Sequence, residues 1–300
     1  MTVKYYDMKK FTLENSRYKV TVKETGAELC GFESLKSGRE YIWQADAGIW
    51  ASHAPNLFPI IGCLKGDAFI FKGKEYKCPK HGFIRNNSEV KLVEQTDNSL
   101  TFGMRYSEDT LTIYPFRFEF RIKYTLDENT LKVEHIITNH GDEEMLFSVG
   151  GHPGFTCPLN EGEKYDDYYL EFEKPDTSET WQVQKDGLIA NDTLPVFDKP
   201  GIINLHPNIF NNDALVFKDL KSRKVSLKSR KSDQVLTVSF EDFPYLGIWA
   251  KPNAPYVCIE PWLGIADSYN SDRDFENKEG LVTLAPKSEF TASYYISVEE

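Results

Sequence analysis

The chain has 300 residues, 40% hydrophobic and 27% charged, a globular composition long enough for one large β core or two ordinary ones. Its formal net charge of -11 works against binding a nucleic-acid backbone or an anionic membrane surface, though a local cationic pocket for one anionic group stays compatible with it.

Taken in order, the elements alternate with period two. The segments AFIFKGKEYK (68–77) and EVKLVEQTDNSLTFGMRY (89–106) read as short strands broken by polar or glycine turns. From Phe116 to Tyr124 the even positions are Phe116, Phe118, Phe120, Ile122 and Tyr124, and the odd ones are Arg117, Glu119, Arg121 and Lys123, a strand with one wet face. After the turn Asp127-Glu128-Asn129, a second strand lines up Leu131, Val133, His135 and Ile137. Another turn at 139–142 leads through Met145–Val149 into Gly150-Gly151. The segment from Glu161 to Pro207 is less regular, its Pro- and Asp-rich pieces read as long loops, and loops at a sandwich rim make plausible cleft walls. Further strands follow in DALVFKDLKSRKVSLKS (213–229). No helix longer than about three turns is expected, and no linker or repeat divides the chain. Strand after strand joined by short turns predicts an all-β fold, antiparallel sheets packed as a single large sandwich over residues 1–300.

The opening MTVKYYDMKKF lacks the apolar core of a signal peptide, and no run approaches a membrane span. Cys30, Cys63, Cys78, Cys157 and Cys258 form neither a disulfide framework nor a CxxC pattern. A cytoplasmic protein is expected, with the acceptor-type triplets at Asn86 and Asn191 as chance matches.

Three segments combine ionisable side chains with an unusual backbone. Pro79–Arg85 places His81 and Arg85 around Gly82. Gly150–Phe155 sets His152 among three glycines and a proline, which allow close ligand approach. In Tyr256–Trp262, residues Tyr256, Cys258 and Glu260 share one strand face, so the carboxylate sits among neighbours that raise its basicity. Of the other histidines, His135 is expected as a satisfied core residue, His140 in a turn, His206 in a loop and His53 in a structural role. No two histidines have strand or helix spacing for a local metal pair, no GxSxG turn is present, and no Gly-rich loop opens a helix. What remains is histidine plus carboxylate, suited to proton transfer without metal or cofactor.

At these segments the sequence resembles the aldose 1-epimerase (galactose mutarotase-like) family, and most closely its LacX-type and hexose-6-phosphate mutarotase branch. The resemblance rests on His53–Gly62 (HAPNLFPIIG), His81–Arg85 (HGFIR), Gly151–Phe155 (GHPGF), Asp213–Phe217 (DALVF) and Ile259–Trp262 (IEPW), in the family's order across most of the chain. It implies a large antiparallel β-supersandwich with an open cleft, and an isomerase that interconverts the α and β anomers of an aldose or aldose phosphate. It further implies Glu260 as general base, His152 as general acid, His81 as a substrate-binding and charge-stabilising group, and Asp213 and Arg85 as substrate-binding residues. Cys63 departs from the pattern, standing where relatives commonly carry an arginine that helps hold a phosphate; Arg85 remains, with Lys65 as a substitute partner. A sugar-binding or regulatory module on the same fold is the alternative. A lyase or hydrolase ranks last, because the sequence pairs no second acid with Glu260.

Overall fold

The strongest alternation in the chain becomes the centre of the larger sheet. The computed structural model describes residues 9–300, so most of the opening segment read above for a signal peptide lies outside the described residues. Strands Phe118–Asp127 and Thr130–Asn139 pair antiparallel in unbroken register, Leu126 opposite Leu131 and Phe120 opposite Ile137. Their even and odd faces separate as expected: Phe118, Phe120, Ile122 and Tyr124 are buried, and the residues between them are only half so. Strand Glu289–Glu299 flanks this hairpin on one side and Ser99–Arg105 on the other, within a nine-stranded sheet running from Ile202–Asn204 to Lys91–Gln95.

A second, eight-stranded sheet packs against it. Its centre is the hairpin of Tyr245–Trp249 and Tyr256–Leu263, extended by Leu215–Phe217 on one side and by Val149–Gly151 and Asn56–Leu57 on the other; Gly154–Thr156 adds a short pairing to Tyr256–Leu263. Phe58 joins the layers, its ring centroid 5.2 Å from Phe118 and 5.4 Å from Phe120. The sheets approach closely where Gly151 meets Tyr294, since a Cβ at Gly151 would lie 2.6 Å from the tyrosine oxygen. A three-stranded sheet over Lys10–Glu14, Tyr18–Lys23 and Glu28–Ser34 adds its apolar face to the same core.

The α-helix Glu108–Ile113 has six residues, capped where Thr110 N–H donates to Ser107 Oγ and Ser107 N–H donates to Thr110 Oγ1. No helix among the described residues is long and apolar enough to cross a membrane. One expectation is refined. Between its loops the stretch 161–207 also contains strands Tyr168–Phe172, Thr180–Val183, Ile189–Leu194 and Ile202–Asn204, which form the outer edges of both sheets. Edge strands are short and half-solvated, so their polar and proline content hides the alternation that a central strand displays.

Candidate active site

Strand Tyr256–Leu263 is buried along nearly its whole length because both its faces are covered. The odd face (Val257, Ile259) joins the core between the sheets. The even face carries Tyr256, Cys258, Glu260 and Trp262, and its Glu260–Trp262 end forms the floor of a cleft of about 340 Å³. Register keeps this face clear of bulk: Gly247 lies opposite Glu260, and Gly150 opposite Trp262. A Cβ at Gly154 would meet Trp50 at 2.8 Å, so an indole lies directly against the backbone there as well. The cleft rim comes from Trp50, from the turn carrying Lys80, His81 and Arg85, from the Val183–Ile189 hairpin, and from Asp213 and Ala214.

The chain thus gathers its ionisable groups from four distant segments. Nε2 of His152 stands 3.3 Å from Oε2 of Glu260, both side chains almost wholly buried. Neither Oε2 nor His152 Nδ1 has an aligned hydrogen-bond partner among the described residues. Trp50 lies tilted over the His152 ring at 5.1 Å, and Trp249 meets it edge-on at 5.9 Å. Burial pushes the Glu260 carboxyl well above its ordinary range, opposed by the Lys80 charge and the Trp262 indole and reinforced by Asp213. Burial likewise pulls His152 down to about 3, and the Lys80 and Arg85 charges act in the same direction. Burial therefore drives both partners toward their uncharged forms, and an ionised Glu260 at 3.3 Å would favour a protonated His152.

His81 has a different task. Its Nδ1 accepts the Gly62 N–H at 3.1 Å, and its own N–H donates to Gly62 O at 2.9 Å. Burial and the neighbouring His152, Lys80 and Arg85 hold it well below the usual imidazole range. A neutral imidazole accepting at Nδ1 carries its proton on Nε2, so His81 is a fixed donor. The turn that presents it needs Gly82, which sits at φ +71° with no room for a Cβ against the Phe58 carbonyl.

This gathering of Glu260, His152 and His81 in one cleft coincides with a match over nearly the whole chain: the family model for aldose 1-epimerase covers residues 9–297. The chain belongs to the aldose 1-epimerase family. It is 36% identical to the plasmid-encoded protein LacX of Lactococcus lactis subsp. lactis over 295 residues, 95% of this chain and 98% of LacX. A galactose mutarotase related enzyme from Lactobacillus acidophilus superposes with a TM-score of 0.92 at 37% identity, covering 97% of this chain and 98% of that one. A galactose mutarotase-like protein from Lactobacillus casei gives 0.91 at 27% identity, covering 97% and 100%.

All five residues singled out from the aldose 1-epimerase resemblance, Glu260, His152, His81, Arg85 and Asp213, line the one cleft. Lys65 does not: its ammonium donates to the Ser271 carbonyl at 2.8 Å. The second cation in the cleft is Lys80 instead, a residue sequence reasoning passed over because a lysine beside a turn proline reads as solvent-facing. Cys63 packs beneath Gly187 of the rim hairpin, 9% exposed. Asp213 brings a second carboxylate into the cleft, which spacing alone did not reveal. The other histidines lie elsewhere. His135 is a fully buried core residue whose ring nitrogens find no aligned partner among the described residues, the Gly150 backbone being its near polar neighbour. His140 pairs with Glu119 at 2.8 Å, and His53 faces Glu28 at 3.8 Å. All five cysteines are free and buried. Although no local ligand spacing exists, ligand-type atoms of His152, Cys258 and Glu260 converge within 4.8 Å across the sheet, and burial holds the Cys258 thiol well above its ordinary range.

Proposed function

We propose that the cleft interconverts the anomers of an aldose by acid–base ring opening and re-closure. The observation that carries this is the 3.3 Å approach of His152 to Glu260 at the base of the cleft, with the His81 N–H fixed beside them. Opening a hemiacetal removes a proton from O1 and delivers one to the ring oxygen, both bonded to C1, so one base and one acid must flank a single carbon. Glu260 takes the O1 proton as the C1–O1 double bond forms. The C1–O5 bond breaks, and protonated His152 gives its proton to O5. Rotation about C1–C2 exposes the other face; O5 then attacks C1, its proton returns to His152, and Glu260 re-protonates O1. The pair carries one proton throughout, so no charge has to enter or leave the buried site. His81 donates to the ring oxygen or a neighbouring hydroxyl, and Asp213 accepts from sugar hydroxyls at the rim.

A sugar with an anionic substituent fits the rim best. Lys80 and Arg85 both line the cleft, and neither makes an ion pair among the described residues. Together they restore the two-pronged basic contact that Cys63 removes.

The test is anomeric exchange, followed by polarimetry or NMR saturation transfer, on glucose, galactose and their 6-phosphates. Glu260→Gln is expected to lower the rate by about 10²–10⁴-fold with the fold intact. A wild-type rate in that variant overturns the assignment, and binding without exchange in the unaltered protein favours the sugar-binding module.

A further inference from the structure

Trp262 lies two residues beyond Glu260 on the same face of strand Tyr256–Leu263, and its indole is clamped in one pose. On one flanking strand, a Cβ at Gly247 would meet ring carbons Cη2 and Cζ2 at 2.4 Å. On the other, a Cβ at Gly150 would meet Cδ1 at 3.1 Å. The ring therefore spans three strands with its five-membered end over Gly150 and its six-membered end over Gly247. The nitrogen lies between those ends, above the strand that carries Glu260. Nε1 is sealed from water and has no aligned partner among the described residues, and the same holds for Glu260 Oε2. A buried N–H without an aligned acceptor, close to a carboxylate oxygen whose one near neighbour is His152 Nε2 at 3.3 Å, is an expensive arrangement unless it donates to that carboxylate.

We infer that Trp262 is a positioning residue whose indole N–H is the dedicated donor to the Glu260 carboxylate, setting its orientation and keeping it ionised inside a water-free pocket. The inference rests on Glu260 acting as base. The Trp262 indole opposes the effect of burial on Glu260. The other groups facing this carboxylate are His152 and His81 from the two histidine turns, Lys80 and Arg85 from the rim, Asp213 from the opposite wall, and Cys258 on its own strand. Only Lys80 and Arg85 bring fixed positive charge, and both belong to the open rim, whereas the indole lies within the sealed floor.

The experiment is a ¹³C NMR titration of the Glu260 carboxyl, assigned by its loss in Glu260→Gln. It is run on the wild type, on Trp262→Phe, and on protein with benzothienylalanine at position 262, which keeps the bicyclic shape and replaces N–H by sulfur. Both substituted proteins are expected to hold a proton on Glu260 about tenfold more tightly, a titration about one pH unit higher. Anomer exchange at neutral pH falls by a comparable factor. An unchanged carboxyl titration in the benzothienylalanine protein overturns the inference, whether or not exchange is lost, because a packing role alone does not move it. The titration is read without turnover, so absence of exchange in the wild type would remove the proposed reaction while leaving this measurement to decide the hydrogen bond on its own.

Discussion

Gly247→Ala is the sharpest perturbation the fold offers. Gly247 is absent from the left-handed backbone positions, so alanine meets no conformational penalty there, and every effect comes from one added methyl. That carbon would sit 2.4 Å from two carbons of the Trp262 ring, where van der Waals contact needs about 3.5–4.0 Å. The ring must therefore retreat by roughly 1 Å, and close contact with Gly150 limits the movement available to it. Overpacking of this kind costs about 1–3 kcal/mol. It shows as a melting temperature lower by about 2–4 °C per kcal/mol. The effect on turnover is larger. Gly247 is the cross-strand partner of Glu260, and a displacement of about 1 Å at a reacting group lowers rates by about 10²-fold. Thermal denaturation and NMR exchange spectroscopy on the same samples measure the two effects separately. A variant that melts lower yet exchanges anomers at the wild-type rate refutes the claim that the glycine floor holds Glu260 in place.

Two further outcomes are expected. Lys80→Ala and Arg85→Ala should each reduce selectivity for an aldose 6-phosphate over the free sugar by roughly tenfold or more, the size of one lost charged hydrogen bond, read as the ratio of kcat/KM values; equal losses on both sugars would remove the anion-binding role. Glu40, whose carboxylate accepts the N–H groups of Phe32 and Ile42 at 2.8 Å, is pushed by burial up to about 7. Because its folded-state value lies above its unfolded one, it favours folding fully below about pH 4.5, and that contribution is lost as pH rises through 7. Urea denaturation across this window should show the decline in the wild type and a shallower one in Glu40→Gln.

The central strands were legible because alternation survives wherever one face meets the core and the other meets water. The hairpin from Phe118 to Asn139 follows the pattern residue by residue. Thr180–Val183 and Ile189–Leu194 were not legible, since a four- or six-residue edge strand with polar neighbours carries too few positions to establish a period. The same distinction runs through the cleft. His81, His152 and Glu260 stand in local contexts that bend or bury them, so composition marked them before any fold was known. Lys80 lacks such a mark, and its place depends on a turn folding back so that His81 bonds Gly62 in both directions. The setting of Trp262 was hidden for a related reason: it is defined by the absence of side chains on two other strands, and an absence far away in sequence leaves no pattern around the tryptophan.

The glycine floor divides labour within the molecule. Glu260 rises from a central strand locked by pairing on both sides, whereas Lys80, His81 and Arg85 sit on a turn and the Val183–Ile189 wall is an edge hairpin. Under the proposed function, changes to the Val183–Ile189 hairpin reshape which aldose is admitted without disturbing Glu260 beneath. One rigid reaction centre with an interchangeable collar is a plan on which a family can diversify its substrates while keeping its chemistry.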